Sequence, residues 1–188
     1  VLPHRHLLRR LRLARVPRKD GRPLQEGARP LSDTLITADE AIRALNLEPH
    51  PVEGGFFRET YRSRESSAIY YLLKPGHVSE LHVLPTDEIY HFYLGTPLRM
   101  LQLWPDGTGR EVLIGSDLAA GQLPQVVVPA GVWQGSRLAT DTGFALVGCT
   151  MAPPFEYSGY RSATRAELTA RWPHFTDEIA LLTPKSEV

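Results

Sequence analysis

The sequence contains one cysteine, two methionines and no excess of charge of either sign. With Cys149 as the lone thiol, no internal disulfide braces the fold, and nothing calls for an oxidising compartment; the location expected is cytoplasmic. Leu146, Val147 and Gly148 precede that cysteine, so it reads as a small hydrophobe in a buried strand. No helix start or cationic neighbour stands beside it to lower its pKa, which argues against a nucleophilic thiol. Twenty-one Lys and Arg cancel twenty-one Asp and Glu, which excludes an overall field drawing the chain to nucleic acid or anionic membrane. The longest apolar runs, residues 68 to 73 and 125 to 129, fall far short of the ~20 residues that span a bilayer. No Gly-Lys-Ser/Thr follows Glu53-Gly54-Gly55, so that stretch is no phosphate loop and its glycines read as a turn into a strand.

What remains is an ordinary globular composition, with 42% apolar residues in a chain of 188, enough for one domain with a sizeable core. Residues 1 to 30 stand apart. They hold nine of the twenty-one basic residues, two acids and no aromatic residue, and are expected to form a mobile basic tail. Within it Leu7, Leu8 and Leu11 recur at helical spacing, which allows an arginine-rich amphipathic helix, but no apolar core and cleavage site mark a secretory signal. The domain proper is expected over residues 31 to 188. It carries twelve basic and nineteen acidic residues, a balance that argues against a nucleic-acid partner.

Thr37 followed by Glu40 predicts a capping box opening a helix through about Leu45. After Pro49 the apolar period changes to two. Strands are predicted over residues 56 to 62, 67 to 73, 78 to 84, 88 to 94, 98 to 104, 110 to 114, 125 to 128 and 143 to 150, separated by Gly- and Pro-rich turns. Short helices are predicted at residues 164 to 171 and 177 to 182, with Pro173 between them. So many short strands with almost no helix between them predict an all-β sandwich or barrel.

The sharpest pattern is GHVSELHVLPTDEIYHFYLG, residues 76 to 95. Gly76, His82, Glu88 and Gly95 fall on the spacing of the first cupin motif, with Leu84 where that motif has a second histidine. Pro129-Ala130-Gly131 followed by Gln134 matches the second motif, with Gln134 in place of a histidine. Together with HPVEGGFFRETY (50 to 61), AIYYLL (68 to 73), DEIYHFY (87 to 93) and VGCT (147 to 150), these segments resemble the cupin-5 branch of the cupin superfamily over about residues 34 to 182. The resemblance implies a double-stranded β-helix, the jelly-roll barrel, with a short N-terminal helix and short C-terminal helices. It also implies similarity to sugar-nucleotide epimerases and a homodimer. Fold alone assigns no reaction.

Strand alternation puts His82 and Leu84 on one face, and a turn at Pro85-Thr86-Asp87 is expected to return the chain so that Glu88 lies across from His82. Tyr90 and Phe92 then share the inner wall, and His91 faces outward unless a bulge intervenes. Three readings follow. In the first, His82, Glu88 and the amide oxygen of Gln134 weakly hold a divalent transition metal, two of the usual imidazoles being absent. In the second, the pocket is metal-free: Glu88 orients His82 as a base, Tyr90 donates a proton, Arg58 fixes an anionic group, and Phe56, Trp133 and Gln134 line the ligand. This suits an epimerase or isomerase acting on a sugar or related polar metabolite. In the third, His82 and Glu88 are a satisfied polar pair in a non-catalytic binding or regulatory barrel.

Overall fold

Thr37 opens the first helix in the manner its spacing predicts. In a computed structural model, which describes residues 36–183, the Thr37 hydroxyl accepts from Glu40 N–H at 3.3 Å, and Glu40 Oε2 accepts from Thr37 N–H at 2.8 Å. Helix α1 (Ala38–Leu45) ends at Asn46, whose left-handed backbone (φ 50°) lets its N–H reach the last carbonyls. The expectations for the basic tail and its helix lie outside the described residues.

Eleven strands follow among the described residues: β1 (Glu48–Pro49), β2 (Phe56–Arg62), β3 (Ser67–Leu73), β4 (Ser79–Val83), β5 (Glu88–Gly95), β6 (Leu98–Leu103), β7 (Gly109–Ile114), β8 (Gln125–Val128), β9 (Trp133–Leu138), β10 (Ala145–Met151) and β11 (Arg161–Ser162). They form two antiparallel sheets in a jelly-roll arrangement, ordered β1-β2-β3-β10-β5-β8 and β11-β4-β9-β6-β7. The sheets face one another without joining into a closed barrel. Strand β9 is absent from the pattern-based expectation because its inward positions are Gln134 and Ser136, so apolar alternation is missing where the strand faces the interior.

A second correction concerns β4 and β5. They are not a hairpin: β4 pairs with β9 and β11, β5 with β10 and β8. The Pro85-Thr86-Asp87 turn carries the chain from one sheet to the other, so Glu88 meets the His82 wall across the interior rather than along a ladder.

The interior is apolar over most of its length. Tyr71, Leu73, Val126, Val128 and Val147 from one sheet pack with Leu98, Met100, Val112, Ile114 and Leu138 from the other. At one end the pattern turns polar, and Ser79, His82, Glu88, Gln102, Gln134 and Ser136 are all buried. Outside the six-stranded sheet, α1 lays Ala41 over Leu72, Phe144 and Leu146. Outside the five-stranded sheet, helices α2 (Arg165–Arg171) and α3 (Thr176–Leu181), joined through a turn at Pro173, set Leu168, Trp172 and Ile179 on Leu81, Leu101 and Leu103. No helix among the described residues is long and apolar enough to cross a membrane.

Candidate functional site

The buried polar end is assembled from four places in the chain. Strand β4 turns His82 inward, and β9 sets Gln134 directly beside it in the ladder. From the facing sheet, β5 brings Glu88, whose Oε2 accepts from Gln134 Nε2 at 2.5 Å. The fourth contributor is Glu53, which the motif spacing does not single out. Its backbone N–H donates to His50 Nδ1 at 2.9 Å, and its carbonyl accepts from Glu80 N–H at 2.9 Å, which stitches it to β4 two residues before His82. The neighbouring Gly54 has φ +84°, and a Cβ there would lie 2.5 Å from the Val78 carbonyl oxygen. Only glycine lets the chain pass this close to β4, so the Gly54-Gly55 turn is what delivers Glu53 to the site. A carboxylate set just before two glycines and a strand was the available sequence signal.

His82 is fully buried, and its ring stacks on Tyr160 with centroids 5.0 Å apart. Its Nδ1 lies 2.7 Å from the Glu80 carbonyl, which can only accept, so Nδ1 carries the proton. Nε2 is left with a lone pair and no hydrogen-bond partner, 3.8 Å from Glu53 Oε1. Burial lowers the pKa of His82 and keeps the ring neutral, although the nearby Glu88 works the other way. The carboxyls move in the opposite sense. Burial pushes Glu53 up to about 7, and burial with the charge of Glu53 pushes Glu88 to about 7. The two carboxyls therefore titrate near neutrality as a coupled pair.

Both carboxyls line a cavity of about 300 Å³ on the inner face of the six-stranded sheet, walled by Phe57, Ile69, Tyr71, Leu84, Tyr90, Cys149 and Met151, with Glu59, Arg62 and Tyr157 also on its wall. His82 is not on that wall, so Glu53 and Glu88 are the groups a ligand meets. Tyr90 lines the cavity with its hydroxyl pKa raised well above the ordinary value by burial and by Glu88, so it stays a hydrogen-bond donor. The Cys149 thiol is likewise pushed well up by burial and the two carboxylates, the opposite of an activated nucleophile. His50 also lines the cavity; its Nδ1 accepts from Glu53 N–H, so its proton sits on Nε2, and burial holds its pKa down at about 4.

Several residues expected at the ligand site do not line this cavity. Phe56 points to the outer face of its sheet, against the cluster containing Leu72 and Leu146 and beside His77. Trp133 packs outside the other sheet against Trp172. Arg58 alternates with the cavity residues Phe57 and Glu59, so it faces outward over Tyr70. Arg62 takes its place because of a bulge. Glu59 pairs with Ile69 and Tyr61 with Ala68, which leaves Thr60 as an extra residue and turns Arg62, opposite Ser67, to the cavity. A second bulge on β5 lies at Tyr93, beyond Glu88 and Tyr90, so their parity is undisturbed. His91 contacts Thr150 and Gln125 and does not line the cavity.

A transition metal here would depend on His82, Glu88 and Gln134. Leu84 takes the position of a second imidazole and presents a side chain with no donor atom, while Gln134 turns its N–H toward Glu88. Among the described residues no three His, Cys, Asp or Glu side chains gather closely enough to hold an ion. This donor set does not fit a tightly held transition metal, and no step below passes through one.

A solved structure of protein SO0799 from Shewanella oneidensis is similar, with a TM-score of 0.76 and 36% identity over 81% of this chain and all of that one. A hypothetical protein from Leishmania major matches with a TM-score of 0.75 and 30% identity over 80% of this chain and all of that one. The uncharacterized protein YML079W of Saccharomyces cerevisiae is 28% identical over 158 residues, 70% of this chain and 77% of the yeast protein. The family model for the cupin superfamily (DUF985) matches residues 39–163, a span containing the inner walls, both carboxyls and His82, and the chain belongs to that family.

Proposed function

We propose that the protein binds a small polar metabolite in the cavity on the inner face of its six-stranded sheet and isomerises it by proton transfer next to a carbonyl. The observation that carries this reading is the convergence of Glu53 and Glu88 on one cavity wall, with the unpartnered lone pair of His82 Nε2 behind Glu53. General acid–base groups work best when their pKa lies near the working pH, and both carboxyls stand at about 7. The ionised member of the pair takes the proton as the carbon–hydrogen bond breaks, and the electron pair moves to the carbonyl oxygen. Tyr90 donates a hydrogen bond to that oxygen. The protonated member then returns a proton to carbon, so no oxidant or reductant is needed. His82 acts as a positioning residue.

Exchange of carbon-bound hydrogen into D2O, followed by NMR across a panel of amino sugars and keto sugars, tests this directly. Wild-type protein is expected to exchange one position in at least one compound, with Glu53→Gln and Glu88→Gln each slowing it ~100-fold or more, within the usual range for loss of an acid–base group. No exchange in any compound would leave a non-catalytic binding cupin as the surviving reading.

The same proposal takes the protein as a cytoplasmic homodimer. Tyr61, Tyr93, Leu94 and Val127 are exposed apolar side chains on strands of the six-stranded sheet, the kind of surface a second copy covers. Sedimentation equilibrium at micromolar concentration is expected to return twice the chain mass of 21.0 kDa; the single mass would remove the dimer.

A further inference from the structure

We propose that the deep end of this cavity takes an organic cation bearing N–H donors, an amidinium or ammonium on a small flat apolar body, and rejects carboxylate and phosphate groups. The inference rests on the reading that the cavity is the ligand site, and it names the class of ligand.

The wall charges are unequal. Glu53, Glu59 and Glu88 face the cavity, with Arg62 the basic side chain among them that is charged at neutral pH. Its guanidinium is already engaged: it lies 2.8 Å from Glu59, 3.4 Å from Glu156, and 3.1 Å from the Phe155 carbonyl to which it donates. An incoming anion would have to displace those carboxylates and then approach two more.

The hydrogen-bonding inventory of the deep end is equally one-sided. Behind the wall, His82 Nε2 and Gln134 Oε1 are buried acceptors, and the imidazole lone pair lies 3.8 Å from the Glu53 carboxyl, so neither supplies that carboxyl with a donor. The Gln134 amide N–H already serves Glu88, and the Tyr71 hydroxyl donates to the Gly54 carbonyl at 2.9 Å. The acceptors that do face the cavity are the Glu53 and Glu88 carboxyls, and buried acceptors left unmatched are costly, so a ligand that carries several N–H donors fits them. A planar amidinium also matches a carboxylate with two parallel hydrogen bonds. Around this floor the rings of Phe57, Tyr71 and Tyr90 supply flat apolar wall and π faces that favour a cation. A cavity of about 300 Å³ holds a body of roughly one ring.

Benzamidine, benzamide and benzoate share one ring and nearly one shape while their charge runs from positive through neutral to negative. Titrated calorimetrically into the full chain, benzamidine is expected to bind at least tenfold tighter than benzamide, with benzoate giving no saturable heat. Glu53→Gln and Glu88→Gln should each weaken benzamidine at least tenfold. Benzoate binding as tightly as benzamidine would overturn the inference, as would benzamidine affinity unchanged in both variants. Zn2+ or Mn2+ that saturates at micromolar concentration and displaces benzamidine would also overturn it, because the acceptors would then serve a metal. The wild-type ligand series stands by itself should a variant fail to fold. Benzamidine selectivity without hydrogen exchange would remove the isomerase reading and leave this inference standing.

Discussion

At pH 8 the variant Glu88→Gln is expected to resist urea better than the wild-type protein, by on the order of 3 kcal/mol, whereas at pH 5 the difference shrinks below ~1 kcal/mol. The carboxyl of Glu88 titrates at about 7 in the folded chain against 4.5 in its ordinary state. A folded pKa raised above the unfolded one stabilises the protein fully below pH 4.5, and that contribution is lost as pH rises through about 7. At pH 8 the wild type therefore keeps a carboxylate in a site that disfavours its charge. Glutamine removes the charge while its amide oxygen can still accept from Gln134. His50 and His82 act in the opposite direction, since burial lowers both and makes folding less favourable as the solution is acidified. The His50 contribution cancels when variant and wild type are compared at the same pH, whereas His82 loses the Glu88 charge that raises its pKa, which reduces the advantage of the variant further at pH 5. A stability difference that stays constant between pH 5 and 8 would show that Glu88 is not held in an ion-hostile site. Gain of stability together with loss of hydrogen exchange would mark Glu88 as a group kept for chemistry.

Trp172→Ala is expected to remove about 3 to 5 kcal/mol of stability. Trp172 is among the largest fully buried side chains, and it joins α2 and α3 to the outside of the five-stranded sheet through Leu81, Leu101 and Leu103. Its Nε1–H donates to the Trp104 carbonyl at 2.9 Å, and its ring meets Trp133 edge-on at 6.3 Å. Alanine leaves a cavity between rigid elements and removes one of the two hydrogen bonds on the Trp104 carbonyl, which still accepts from Gly107 N–H at 3.0 Å. Trp172→Phe keeps most of the apolar contact and should cost only ~1 to 2 kcal/mol. Urea midpoints at constant slope would measure both. A loss below about 1 kcal/mol for the alanine variant would mean that the C-terminal helices do not depend on this ring for their docking.

The period-two pattern after Pro49 and the capping box at Thr37 were sufficient for the strands and the first helix, because both signals are local. Backbone alternation and a hydroxyl reaching three residues ahead do not depend on the rest of the chain. The spacing of His82 and Glu88 likewise identified side chains that belong to one polar interior. The exceptions have a common origin. Strand β9 carries Gln134 and Ser136 where an ordinary strand carries apolar groups, so the site erased the pattern of the element that builds it. The local turn at residues 85 to 87 looked like a hairpin because local sequence does not say to which sheet the next strand is added.

By itself, then, the amino-acid order determined an all-β fold, since hydrophobic period and turn chemistry act over a few residues, while the jelly roll and its acid–imidazole interior came from the resemblance of its motifs to the cupins. Which side chains a ligand meets was decided only by tertiary structure. Arg58 falls on the outer face of β2 by plain alternation, one extra residue at Thr60 turned Arg62 inward, and the close passage of Gly54 against Val78 placed Glu53 beside an imidazole almost thirty positions away. A bulge reverses the facing of each position beyond it, and a long-range approach exists only once both sheets have formed.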